Sequence, residues 1–211
     1  MKKLNNYITE RLKLTSKTSN YTCKPKNEQE LHKILEERLK KNKDADLNDI
    51  DVSEITYMGY KAFNNHYGLF EGLDPHNIKI DQWDVSNVTN MDHIFFSCRN
   101  LNCDVSDWDM SNVNSVSSMF ENCVVFDCDL SNWNVRKITN MEYMFTCCER
   151  FKGKGLENWD VENVTDMKYM FWNCYQFNND LNCWNTKNVK RLECMFSGCR
   201  ILNKEPKWYK R

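Results

Sequence analysis

Proline and glycine are scarce in this chain of 211 residues, at 3 and 6, which excludes a collagen-like repeat and a flexible linker array. No stretch approaches the roughly 20 consecutive apolar residues of a membrane-spanning helix. Residues 1–7 lack the apolar run of a secretory signal, so the expected location is the cytoplasm or a virion, with surface display needing a non-classical route. Histidine numbers only four, His32, His66, His76 and His93, and none has a neighbour at a catalytic or metal-ligand spacing. Gly-x-Ser-x-Gly, phosphate-loop and dinucleotide-binding patterns are missing as well. The expectation is a protein that is not an enzyme, with no catalytic residue, no cofactor and no metal site.

A dominant charge of one sign is also lacking, since the formal net charge is −1. Charge is segregated instead: residues 1–46 sum to +5, residues 47–199 to −10 and residues 200–211 to +4. The acidic middle repels phosphate backbones and argues against nucleic acid as a partner.

What the chain does have is a repeat. Its composition is 41% hydrophobic and 13% aromatic, enough for a packed core although the mean hydropathy is −0.75. Tryptophan recurs at Trp83, Trp108, Trp133, Trp159 and Trp184, spaced 25, 25, 26 and 25 residues apart. Columns of like residues share this period: Val88, Val113, Ile138, Val164 and Val189; Met91, Val116, Met141, Met167 and Leu192; Phe95, Phe120, Phe145, Phe171 and Phe196; Cys98, Cys123, Cys148, Cys174 and Cys199. The longer spacing coincides with Gly153 and Gly155, where a turn absorbs one residue. A first copy is visible in Ile50, Val52, Ile55 and Met58, then Leu69, Phe70, Leu73 and Ile80, split by an insertion at about 59–66. One such unit cannot bury its own apolar residues, whereas stacked units can.

The expected fold is therefore a right-handed α/β solenoid of about six 25-residue coils. Residues 101–108 read as a short parallel strand, and residues 89–95, apolar at intervals of three and four, as a short helix that Thr89, Thr139 and Thr165 would cap. Three regions are expected: a helical segment and cap over 1–46, repeats over 47–203 and a C-terminal cap over 204–211. Within the first, Asn27 and Glu30 form a capping-box pattern ahead of a helix from Glu28 to Lys41 whose Leu31, Ile34, Leu35 and Leu39 would cover the first coil. At the other end, Trp208 and Tyr209 would fold over the last coil.

Residues 83–91 (Trp-Asp-Val-Ser-Asn-Val-Thr-Asn-Met), 119–123 (Met-Phe-x-x-Cys) and 177–181 (Phe-Asn-Asn-Asp-Leu) together resemble the 25-residue repeat of mycoplasmal surface lipoproteins in the BspA-like leucine-rich-repeat group. The resemblance covers residues 47 to about 203. It implies a leucine-rich-repeat-like solenoid serving adhesion or protein binding, and it supplies no catalytic residues. Unlike exported members, this sequence shows no lipobox cysteine or signal near its start, and signal-less relatives point to a phage-encoded origin.

Candidate contacts follow from departures within the columns. Tyr143, Tyr169, Trp172 and Tyr175 stand where other repeats carry polar residues, and Tyr60 and Phe63 lie in the insertion; these six are the expected partner-binding residues. Leu4, Tyr7, Ile8 and Leu12 line a short helix, read either as a second cap or as a docking peptide. The functional expectation is a monomeric, non-enzymatic scaffold binding a protein partner, with a virion-associated assembly protein docking through residues 1–14 as the alternative. The eleven cysteines read as reduced thiols, with the 98-to-199 column as small core residues and Cys23, Cys183 and Cys194 nearer the surface.

Overall fold

The computed structural model describes residues 21–59 and 68–209. Successive repeats lie on one another in parallel register through an alternating backbone pattern. Over residues 91–98, the N–H groups of Ile94, Phe96 and Cys98 close four-residue turns onto the carbonyls of Met91, His93 and Phe95. The intervening N–H groups, of Met91, His93, Phe95 and Ser97, donate to Ser115, Ser117, Met119 and Glu121 of the next repeat at 2.8–3.1 Å. The same alternation recurs over 116–123, 141–148 and 167–174.

This pattern overturns the expected α/β solenoid with its leucine-rich-repeat-like strand and helix in every coil. Among the described residues there are one α-helix, α1 (Glu28–Lys41), and one 3-10 turn (Leu156–Asn158), and parallel pairing is confined to isolated bridges. The longest series of bridges joins Tyr57, Asn90, Ser115, Asn140, Asp166 and Arg191, one residue per repeat, outside the segment expected to be a strand. In that segment the Trp108 N–H closes onto the Val105 carbonyl, so alternation of buried Leu101, Cys103 and Val105 ends in a bend.

The expected short helices fail for a backbone reason. The third residue of the first and last turn in each repeat is left-handed: His93 and Ser97, Ser118 and Asn122, Tyr143 and Cys147, Tyr169 and Asn173, all with φ between 52° and 62°. A left-handed residue at every fourth position cannot belong to a right-handed helix. The three-and-four spacing of Met91, Ile94, Phe95 and Cys98 thus arises from overlapping turns. Nor do the threonines cap anything helical: the Thr89, Thr139 and Thr165 hydroxyls donate to the carbonyls of Thr56, Asn114 and Thr139 in the preceding repeat.

Two side-chain columns lock the register. The indole Nε1–H of Trp83, Trp108, Trp133, Trp159, Trp184 and Trp208 donates to the carbonyl of Leu47, Ile80, Val105, Leu130, Leu156 and Leu181 respectively, at 2.7–3.0 Å. Each carbonyl also accepts a backbone N–H from its own turn, as Val105 does from Trp108, so both of its lone pairs are used. Likewise the thiols of Cys98, Cys123, Cys148, Cys174 and Cys199 donate to Phe70, Phe95, Phe120, Phe145 and Phe171. The cysteine column is therefore a column of buried donors as well as of small side chains. Against the tryptophan column runs a phenylalanine ladder, Phe70, Phe95, Phe120, Phe145, Phe171 and Phe196, with centroids 5.0–5.7 Å apart. Offset ring stacks of this kind add about 0.5–1.5 kcal/mol each beyond the area they bury.

At the N-terminal end α1 begins as its sequence suggests. Asn27 accepts from the Glu30 N–H, although the Glu30 carboxylate reaches back to the Lys26 N–H rather than to that of Asn27. Leu31, Leu35 and Leu39 are buried in the core, and His32 Nδ1 lies 2.7 Å from the Leu69 carbonyl. At the other end Trp208 stacks on Trp184 at 6.1 Å and Tyr209 meets Phe196 edge-on at 5.1 Å. The 26-residue repeat turns at Gly155, whose φ of 92° and contact with the Ser131 backbone leave no room for a Cβ.

Trp133→Phe keeps an aromatic ring but removes one donor from the Val105 carbonyl, and it should lower stability by about 1–3 kcal/mol. Urea unfolding measures this, and an unchanged midpoint would contradict the role given to the indole bond.

Candidate functional site

The overlapping turns form a ridge along one side of the stack, and the left-handed residues set its geometry. At φ of 57° and 55°, Tyr143 and Tyr169 occupy the same turn position in successive repeats, and their rings stack at 4.9 Å with 13° between planes. Three residues on, Trp172 meets Tyr169 edge-on at 6.0 Å and 76°. Lys168 places its ammonium 5.1 Å from the Tyr169 centroid, and the Thr146 hydroxyl donates to the Tyr169 carbonyl at 2.6 Å. Trp172 is 38% exposed, while Tyr143 and Tyr169 are half-buried.

Three of the four expected ridge aromatics are therefore brought together. The fourth, Tyr175, pairs with Arg200, whose guanidinium lies 3.9 Å from its ring centroid, so one face is already taken by the chain itself. Tyr60 and Phe63 in the insertion, and Leu4, Tyr7, Ile8 and Leu12 near the start, lie outside the described residues. One ridge residue escaped the sequence reading. Phe96 occupies the column of Trp172 and meets His93 edge-on at 5.7 Å and 67°, the same arrangement as Trp172 with Tyr169. Alignment on the phenylalanine ladder was signal enough to find it.

Charge beside the ridge is largely paired. Arg191 bridges Asp166 at 2.6 Å and Glu142 at 3.0 Å, two repeats apart in sequence. Burial raises the carboxyl of Glu121, which shares the column of Trp172, above its ordinary value. The aspartates that recur after tryptophan serve turns: Asp84, Asp109 and Asp160 accept from the backbone N–H two residues later, as Asn134 and Asn185 do in their repeats.

The thiols are poor nucleophiles where they are buried. Desolvation pushes Cys98, Cys103, Cys123, Cys148 and Cys174 well above the usual thiol value, Cys128 to about 11 and Cys199 to about 12. Cys183 and Cys194 are exposed and Cys23 is intermediate. Two shallow, open depressions elsewhere are lined mainly by asparagine and aspartate with His76, Arg150 and Cys128, and the Cys128 thiol donates towards the Asp104 carboxylate. Among the described residues no group of three or more His, Cys, Asp or Glu could hold a metal ion, and no helix is long and apolar enough to cross a membrane.

Fold and surface together define a stacked-repeat protein, built of turns and closed by a helix at one end, whose projecting feature is an aromatic ridge. The chain belongs to the family described as Mycoplasma protein of unknown function, DUF285, whose model matches residues 29–155 and 128–210. No curated protein and no solved structure matches it.

Thiols raised in the folded state hold their protons where unfolded thiols, near 9.0, have lost them. Stability should thus be insensitive to these groups below the unfolded value and fall as pH rises from about 9 towards 11 and 12, the folded values of Cys128 and Cys199. Urea midpoints across that range test this, and a Cys128→Ser, Cys199→Ser variant should lose part of the alkaline decline. A decline of full size in that variant would assign it to other groups.

Proposed function

We propose that the protein is a non-enzymatic scaffold that binds a protein partner through the ridge formed by Tyr143, Tyr169 and Trp172, and that it does so as a monomer. The observation that carries this reading is the ordered, partly exposed ring cluster: Trp172 stays 38% exposed while resting edge-on against the stacked tyrosines. Rings already held in place lose little freedom when a partner covers them, and Trp and Tyr dominate the residues on which interfaces depend. The resemblance of the repeat to the BspA-like group adds support for an adhesive or protein-binding role.

Partner capture from the native source by immobilised protein tests the proposal. Tyr169→Ala with Trp172→Ala should reduce capture by about 30-fold or more, as loss of two interface anchors does. Tyr21→Ala, which removes an exposed aromatic residue far from the ridge in sequence, should leave capture unchanged. Equal capture by the ridge variant and the unaltered protein would eliminate the ridge as the contact surface.

A further inference from the structure

The repeat that contains Trp108 interrupts the ring series of the ridge. Over residues 93–197 the two columns that hold the ridge aromatics read His93, Ser118, Tyr143, Tyr169 and Cys194, then Phe96, Glu121, Thr146, Trp172 and Ser197. Glu121 is the only carboxylate in either column over that range, and it is half-buried beside a buried Ser118. The backbone fixes its place. Its carbonyl accepts from the Ser97 N–H at 2.8 Å, and its own N–H closes a turn onto the Ser118 carbonyl at 3.2 Å. Glu121 is thus held between the repeat of Phe96 and the repeat of Tyr143.

Most of the charge around it is already matched. Arg191 bridges Asp166 and Glu142, and Asp92 accepts from the Asn90 side chain, the Ser115 hydroxyl and the Ser117 N–H at 2.5–2.8 Å. On the cationic side, Lys168 lies over the Tyr169 ring and Arg200 over the Tyr175 ring. No lysine or arginine among the described residues forms an ion pair with Glu121, whose carboxyl burial raises and only a hydrogen bond from Ser118 lowers. Burial is also the first cause that raises the Tyr143 hydroxyl and the Cys147 thiol, and the negative charge of Glu121 adds to both. Glu149 acts on Cys147 in the same sense and Arg99 in the opposite one, so the charge left unmatched here is negative.

We infer that the protein partner presents a basic segment to the ridge and seats a lysine or arginine side chain on Glu121, beside Tyr143. The inference rests on the reading of the ridge as the contact surface. A cation from outside supplies what the chain does not: a charge-assisted hydrogen bond to a half-desolvated carboxylate. Its alkyl stem covers ring surface beside that carboxylate, and the exposed Trp172 offers a ring to a second cation of the same segment. An apolar segment would instead cover Glu121 and leave a carboxylate buried without a partner, which is costly. An acidic segment meets both Glu121 and the −10 charge of residues 47–199.

The test is an NMR titration of the full chain with acetylated, amidated tetralysine at low ionic strength. Saturable shifts are expected at the Glu121 and Tyr143 amides. Glu121→Gln, which keeps the shape and removes the charge, should weaken binding by about fivefold or more while the indole signals stay in place. Glu54→Gln, at an exposed carboxylate of the first repeat that pairs with Lys24, should leave binding unchanged. Absence of saturable shifts at the two amides, equal affinity in Glu121→Gln, or matching shifts with acetylated, amidated tetraglutamate would each overturn the inference. Shifts there that grow with protein concentration in the absence of peptide would assign the site to self-association and overturn it as well. Partner capture separates this inference from the reading beneath it. Capture lost in the Tyr169→Ala, Trp172→Ala variant but complete in Glu121→Gln would sink the basic segment and leave the ridge standing, whereas complete capture in both would remove the ridge itself.

Discussion

The bond from a buried side-chain donor to a carbonyl of the preceding repeat is the constraint on which the rest depends. Stacked units that share only apolar columns could slide or rotate, since hydrophobic contact has no direction. An indole N–H and a thiol at fixed places in each unit remove that freedom, because a slipped register would leave both the donors and their carbonyl partners buried and unsatisfied at about 1–3 kcal/mol apiece. Trp133 on Val105 and Cys148 on Phe120 are one such pair of anchors.

With the register held, the backbone need not form a sheet. Its N–H groups alternate between closing a turn and reaching the next repeat, and each repeat pairs through a single bridging residue. Left-handed residues are the cost of that alternation, and the chain places Ser, Asn, His, Tyr and Cys there, with glycine at Gly72 and Gly198. Two of these positions bring the Tyr143 and Tyr169 rings into a stack, so the feature that makes the repeat stacking possible also shapes the aromatic cluster.

Much of this was legible in the residues. The period, the columns, the split first repeat and the limits of α1 all follow from the placement of Trp83 and its counterparts and from Asn27 with Glu30. The local backbone was not, because overlapping turns and a short helix place Met91, Ile94, Phe95 and Cys98 at the same intervals. Alternating Leu101, Cys103 and Val105 likewise read as a strand until the bend at Trp108 is known. Side-chain tables offer little warning of a left-handed tyrosine, although Asn122 and Asn173 in the neighbouring column are a usual sign of that conformation. The clustering of Tyr143, Tyr169 and Trp172 was foreseen from column departures, whereas the pairing of Tyr175 with Arg200 needed the folded chain.

Exchange of the tryptophan indole protons tests the register account most directly. Seven indole signals are available. Six, from Trp83, Trp108, Trp133, Trp159, Trp184 and Trp208, should exchange far more slowly than that of Trp172, because each is bonded to a carbonyl of the repeat before it. Seven protons exchanging at one common rate would mean that the indoles do not hold the stack.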